Sequence, residues 1–166
     1  LLPTFNALLR ITNLENGKEH IAFGDKDNKI ILNDVVELYE PIAEDKNIKL
    51  YTDLEKVIYR CDNDLIFQSV ANLLDNAIKF TPSGGKISLS LKKEDRIIIE
   101  IKDDGVGISK KNKEKIFDRF FRADESRNKP GSGLGLSLVN AVIKLHNGKI
   151  EVWDNIPQGL TVRIIL

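Results

Sequence analysis

The segment from Asn63 to Thr81 constrains this chain more than any other, because its apolar residues recur at a helical period and its amides gather on the other side. At about 100° of rotation per helical residue, Gln68, Asn72, Asn76 and Lys79 share one sector. Ile66, Val70, Leu73, Leu74 and Ala77 lie roughly opposite. Such a helix must lay its apolar back on a core and turn its amides away from it. Asparagine is a weak helix former, so two of them at the repeat spacing ask for a reason. One reason is a solvated polar face. The other is a site where neutral amide oxygens meet a metal-bound phosphate.

The rest of the pattern supplies that core. Leu1, Phe5, Leu8, Leu9 and Thr12 fall at helical spacing, and Asn16-Gly17 makes a stop. A strand is predicted near His20 to Phe23, then a helix capped by Asn33 and running to about Lys46, with Val36, Tyr39, Ile42 and Ala43 inward and a bend at Pro41. Strands follow at Ile48 to Thr52 and Val57 to Cys61, and Asp62 or Asn63 opens the amide-bearing helix. Beyond the Thr81 to Gly85 turn cluster come strands at Lys86 to Leu91 and Arg96 to Lys102, and a short helix from Ser109 to Phe117. A polar loop occupies Asp118 to Gly131, ahead of a helix from Leu134 to His146 and strands at Lys149 to Trp153 and Leu160 to Ile165. This irregular interleaving predicts an α+β fold, a two-layer sandwich whose mixed sheet is covered on one face by about three helices.

Composition narrows the function. Lys plus Arg and Asp plus Glu both number 25, so no overall charge draws the chain to nucleic acid or an anionic membrane, and any anion site must be local. Cys61 is the single cysteine, which excludes an internal disulfide. No apolar run reaches the roughly 18 residues of a membrane span, and no signal-peptide pattern opens the chain. The 166 residues contain no methionine and begin inside an apolar pattern, which predicts a fragment of something longer.

Two glycine-rich segments favour the site over the solvated face. They are DDGVGI at Asp103 to Ile108 and GSGLGL at Gly131 to Leu136. The second precedes a helix, so its amides can face phosphates. It lacks the preceding strand of a dinucleotide-binding turn and the Gly-Lys-Ser/Thr of a Walker loop. Together NLLDNAIKFT (Asn72 to Thr81), DDGVGI, KIFDRFFR (Lys115 to Arg122) and GSGLGLSLVNAVIKLHNG resemble the nucleotide-binding domain of sensor histidine kinases, over nearly the whole chain. That domain belongs with the ATPases of DNA gyrase and the large heat-shock chaperone.

The resemblance implies ATP and Mg2+ as cofactors and a flexible ATP lid from about Asp118 to Gly131. It implies Asn76 as the metal ligand, with Asn72, Lys79 and Arg122 as catalytic residues. Nucleotide contacts fall to these four and to Phe80, Asp103, Gly105, Gly107, Ile108, Gly131, Ser132, Gly133, Leu134, Gly135, Leu136 and Thr161. The Asp103 carboxylate can accept only, which suits the exocyclic amine of adenine and opposes the oxygen of guanine. Hydrolysing relatives carry a Glu four residues before the metal-binding Asn, as general base on water. Asn72 stands there and has no usable base. Phe117, Phe120 and Phe121 resemble the phenylalanine box that anchors the lid, where Arg122, and after it Arg127 and Lys129, could reach the terminal phosphate.

Residues 1–17 resemble the end of a dimerisation helix, and residues 18–166 the catalytic domain. His20 and His146 lack the acidic neighbour of a phosphoacceptor, so the acceptor is expected on helices outside this chain. The implied partners are those histidine-bearing helices in a homodimeric parent and a response-regulator receiver domain, in the cytoplasm, with a parent that could be membrane-anchored. A nucleotide-sensing switch, and a serine kinase or ATPase of the same fold, are the competing readings.

Overall fold

The computed structural model describes residues 2–123, 129 and 131–166. Its helices are α1 (Leu2–Glu15), α2 (Asn28–Asp45), α3 (Asn63–Phe80), α4 (Lys110–Lys113) and α5 (Gly135–Leu145). Its strands are β1 (Phe23–Asp27), β2 (Lys49–Leu54), β3 (Ile58–Asp62), β4 (Lys86–Lys93), β5 (Ile97–Asp103), β6 (Lys149–Asp154) and β7 (Leu160–Ile165). Five strands form one mixed sheet in the order β2-β4-β5-β7-β6, parallel between β2 and β4 and antiparallel elsewhere. β1 and β3 pair separately as an antiparallel ribbon.

Period-two alternation decides which sheet face the helices cover. β4 buries Ile87, Leu89 and Leu91, β5 buries Ile97, Ile99 and Ile101, and β7 buries Val162 and Ile164. These side chains share one core with Leu65, Ile66, Val70, Leu73 and Leu74 of α3 and with Val139, Val142 and Ile143 of α5. The alternate positions of the same strands carry Lys92, Glu100, Lys102 and Arg163, tied by ion pairs across strands, from Lys92 to Asp53 and from Arg163 to Glu100, and along β5, from Lys102 to Glu100. One face is therefore oil and the other is charge. The two-layer mixed sandwich expected from the sequence is the fold observed.

Several element boundaries differ from expectation. α2 begins at Asn28 rather than at Asn33, because Asp27 is its N-cap and accepts from the Lys29 N–H at 3.0 Å. Its buried stripe is Asn28, Ile31, Leu32, Val35 and Ala43, while Val36 and Tyr39 are half-buried and Ile42 is exposed. The strand expected at His20 to Phe23 lies at Phe23–Asp27, and the helix expected from Ser109 to Phe117 is the single turn α4, continued by turns. α1 docks through Ile11 and Leu14 rather than through Phe5 and Leu9, which stay exposed.

Candidate functional site

The site is a cleft of about 290 Å³ between α3, the loop after β5, and the glycine segment ahead of α5. α3 is fixed first. The Asp62 carboxylate caps it, accepting from the Leu65 N–H at 3.0 Å and from the Ala22 N–H at 2.9 Å. The apolar back then locks the rotation of the helix, which turns Asn72, Asn76, Lys79 and Phe80 into the cleft. Gln68, in the same sector one turn earlier, accepts from Arg10 of α1 at 2.6 Å.

The first glycine box closes against the last turn of α3. The Val106 N–H donates to the Phe80 carbonyl at 3.1 Å. A Cβ on Gly105 would sit 2.5 Å from that carbonyl oxygen, so only glycine lets the loop come this near. Gly105 thus acts from behind, while Asp103, Gly107 and Ile108 line the cleft. The second box is strapped to the phenylalanine run: the Phe120 N–H donates to the Gly133 carbonyl at 2.9 Å. Gly133 has φ +75°, and a Cβ there would meet the Phe120 backbone at 2.8 Å. Gly131, Ser132, Gly133, Gly135 and Leu136 line the cleft, whereas Leu134 is a buried core residue and the N-cap of α5. Of the three phenylalanines Phe121 reaches the cleft and Phe120 is exposed. Thr161 does not line it. Strand alternation sends Leu160 and Val162 inward, and the Thr161 hydroxyl donates to the Asn155 amide oxygen.

The polar groups divide by what already holds them. Asp103 takes the Gly105 N–H at 2.9 Å and the Leu160 N–H at 3.2 Å, both on Oδ1. Burial, more than the neighbouring Asp104 charge, pushes its carboxyl above the ordinary range, against the pull of those two backbone donors. Asn72 donates to the Gly135 carbonyl at 3.4 Å, joining α3 to the second box. Lys79 pairs with Asp75 at 2.7 Å, one turn away. The Arg122 guanidinium donates to the Gly131 carbonyl at 3.1 Å and to the Lys129 carbonyl. Asn76 is half-buried and makes no side-chain hydrogen bond among the described residues. Its amide oxygen suits a hard cation that keeps most of its shell as water and phosphate. Among the described residues no three His, Cys, Asp or Glu side chains stand together, so any cation here would depend on such outside ligands. Arg127 and the 124–128 and 130 positions of the expected lid lie outside the described residues.

His146 is a packing residue. Its Nδ1 lies 2.7 Å from the Val142 carbonyl and its Nε2 accepts from the Asp62 N–H at 3.1 Å. Those partners fix the neutral ring, and burial holds its pKa below the ordinary value. His20 is exposed. Sequence reading missed Asp75, which the i, i+4 spacing to Lys79 could have flagged. It also missed Asn155, which donates to the Asp103 carbonyl at 2.6 Å and to the Leu160 carbonyl at 3.0 Å and so ties together the two strand ends that line the cleft, with no local signal to reveal it.

Known proteins resemble this chain in sequence and in fold. The profile described as histidine kinase-, DNA gyrase B-, and HSP90-like ATPase matches residues 61–166. The adaptive-response sensory kinase SasA of Rippkaea orientalis is 39% identical over 133 residues, 78% of this chain and 34% of that protein. The sensor-like histidine kinase SenX3 of Mycolicibacterium smegmatis is 33% identical over 166 residues, 97% of this chain and 43% of that one. Among solved structures, the nucleotide-free catalytic domain of histidine kinase ThkA superposes with a TM-score of 0.79 at 27% identity, covering 88% of this chain and 95% of its own. The chain thus spans less than half the length of these two curated relatives. Among the described residues no helix is long and apolar enough to cross a membrane.

Proposed function

Since this chain belongs to the family of histidine kinase-, DNA gyrase B- and HSP90-like ATPases, whose domains bind ATP, we propose that it is the catalytic domain of a sensor histidine kinase. It holds ATP with Mg2+ and presents the γ-phosphoryl group to a histidine on a helical hairpin outside this chain, for onward passage to a response-regulator receiver domain. In this reading Asp103 accepts from the adenine amine, and Gly107 and Ile108 border the ring. Asn76 supplies the metal's protein ligand, and the ion neutralises phosphate charge when bound. Lys79 and Arg122 steady the phosphates, and Gly131, Ser132, Gly133, Gly135 and Leu136 carry the segment that folds over them. Residues 1–17 are the end of a dimerisation helix in a homodimeric, cytoplasmic or membrane-anchored parent.

The observation that supports transfer over hydrolysis is Asn72. The α3 position facing the second glycine box is an amide bonded to the Gly135 carbonyl, not a carboxylate able to deprotonate water. The chain alone is expected to bind ATP, to hydrolyse it slowly and not to label itself. With terminally labelled ATP and a histidine-bearing hairpin supplied in trans, label stable to alkali and lost in acid should appear on the hairpin. Rapid acid-labile label on the isolated chain at His20 would overturn the reading. Fast release of phosphate without the hairpin would favour the ATPase alternative.

A further inference from the structure

The last turn of α3 carries an arrangement that the nucleotide reading does not use. Its final carbonyls point away from the helix with no helical partner, and they form the negative end of the helix dipole. Two lysines from distant segments converge on them. Lys46, the C-cap of α2, donates to the Ile78 carbonyl at 2.7 Å and the Lys79 carbonyl at 3.1 Å. Lys129, from the stretch between the phenylalanine run and the second glycine box, donates to the same Lys79 carbonyl at 2.5 Å and lies 4.9 Å from the centre of the Phe80 ring. Lys129 lines the cleft and Lys46 does not.

We propose that Lys46 is a positioning residue for the cleft: by occupying the carbonyls at the end of α3 it weakens the hold of that helix end on Lys129 and keeps the Lys129 ammonium available to a bound phosphate. The inference rests on the nucleotide reading above. Two like charges sharing one oxygen repel, and the repulsion acts on both. Its mark is visible on Lys46, whose pKa is lowered first by burial and then by the charge of Lys129. Lys46 is anchored by two carbonyls and by the rigid end of α2. Among the described residues Lys129 has one carbonyl and a ring face, so it is the partner that yields. A polyphosphate in the cleft offers Lys129 several charged acceptors in place of one neutral oxygen, and charge-assisted bonds are the stronger kind. Asp75, paired with Lys79 from one turn away, keeps that second cation from filling the role by itself.

The test is a cycle of Lys46→Met, Lys129→Met and the double variant, each titrated with ATP and with adenosine after its fold is checked by circular dichroism. Lys46→Met should weaken ATP binding about threefold or more and leave adenosine unchanged, because Lys129 then settles on the helix end. In the Lys129→Met background the Lys46 substitution should have no further effect on ATP. Lys46→Arg should behave as the parent chain. Equal loss for ATP and adenosine would make Lys46 a purely structural cap and overturn the proposal. So would unchanged ATP affinity in folded Lys46→Met, or the same loss with Lys129 already removed. If Lys46→Met does not fold, Lys46→Gln takes its place with the same expected and overturning results, and Lys129→Met must still weaken ATP and spare adenosine. A folded parent chain that binds no ATP at all would instead remove the nucleotide reading itself.

Discussion

Glu100 and Asp103 sit three residues apart on one strand and live in opposite circumstances. β5 turns Glu100 to the open face of the sheet, where Oε2 takes the Arg163 Nε–H at 2.7 Å and Oε1 pairs with Lys102 at 2.9 Å. Arg163 in turn lies over the Trp153 ring at 4.7 Å. Burial pushes the Glu100 carboxyl upward, but the hydrogen bonds from Lys102 and Arg163 outweigh it and hold the group below the ordinary range. Asp103 ends the strand on the helix side, is raised by burial, and among the described residues has two backbone donors in place of a cation. A carboxylate that serves the fold is saturated by opposite charge. One that serves a ligand is oriented by backbone and left wanting a partner. Asn76, half-buried and without a side-chain hydrogen bond among the described residues, belongs with Asp103 in this respect; Asn72 and Lys79 stand between the two extremes.

The largest expected effect tests that division. Asn76→Ala should weaken Mg2+-dependent ATP binding by more than about a hundredfold while leaving thermal stability where it was, since the amide lost is a ligand and not a core contact. Calorimetric titration with and without Mg2+ measures it. Unchanged affinity in a folded variant would return Asn76 to a solvated helix face. Next comes Asp103. The chain should prefer ATP over GTP by at least about a hundredfold, because guanine sets an oxygen against the carboxylate, and Asp103→Asn should erode that preference. A parent chain that binds both nucleotides alike would remove the adenine argument.

How far the sequence revealed this contrast depends on the range of the interactions. α3 and both glycine boxes were legible because each is a local pattern: a helical period, or glycines placed after a strand and before a helix. The fold class followed from alternation and turn signals. The start of α2 was not, since Asp27 caps through its side chain just after an antiparallel pairing with Ile58 that no nearby residue announces. Thr161 lies off the cleft for a reason that was readable, the alternation of Leu160, Thr161 and Val162. Asn155 behind Asp103 and the two lysines at the end of α3 join segments tens of residues apart. Their partners exist only once the chain has folded.

Glu100 sharpens the comparison from the other side. Glu100→Gln should cost about 1 to 2 kcal/mol of stability, as two cations lose a charged acceptor, and should leave ATP affinity unchanged. Asp103→Asn should keep or slightly raise stability, because Asn can still accept from Gly105 and Leu160 without a charge being buried. The pH signs are opposite as well. With its folded pKa depressed, Glu100 contributes fully above its ordinary 4.5, and the contribution is lost as pH falls through the folded value. With its folded pKa raised, Asp103 contributes below its ordinary 3.8, and that is lost as pH rises through the folded value. Chemical denaturation of both variants across acid pH separates them. Stability losses of equal size and sign would dissolve the distinction.

The smallest effect concerns His146, a buried titratable group that the comparison assigns to the fold. Its neutral ring accepts from the Asp62 N–H, the residue that caps α3, so protonation would set a proton against that donor. Burial depresses its folded pKa. The stability it contributes is therefore whole above its ordinary value of 6.5 and is lost as pH falls from there toward the folded value. Denaturant midpoints taken between neutral and mildly acidic pH should fall in the parent chain, and the fall should be reduced or absent in His146→Gln. ATP affinity measured where both chains remain folded should not follow the same titration, because the ring lies outside the cleft lining. A pH slope that persists unchanged in the variant would mean that other groups set the acid sensitivity of the fold. An ATP affinity that tracks the His146 titration would mean that the cap of α3 transmits its state along the helix to Asn72 and Asn76, and that fold-serving and ligand-serving groups are less separate in this domain than Glu100 and Asp103 suggest.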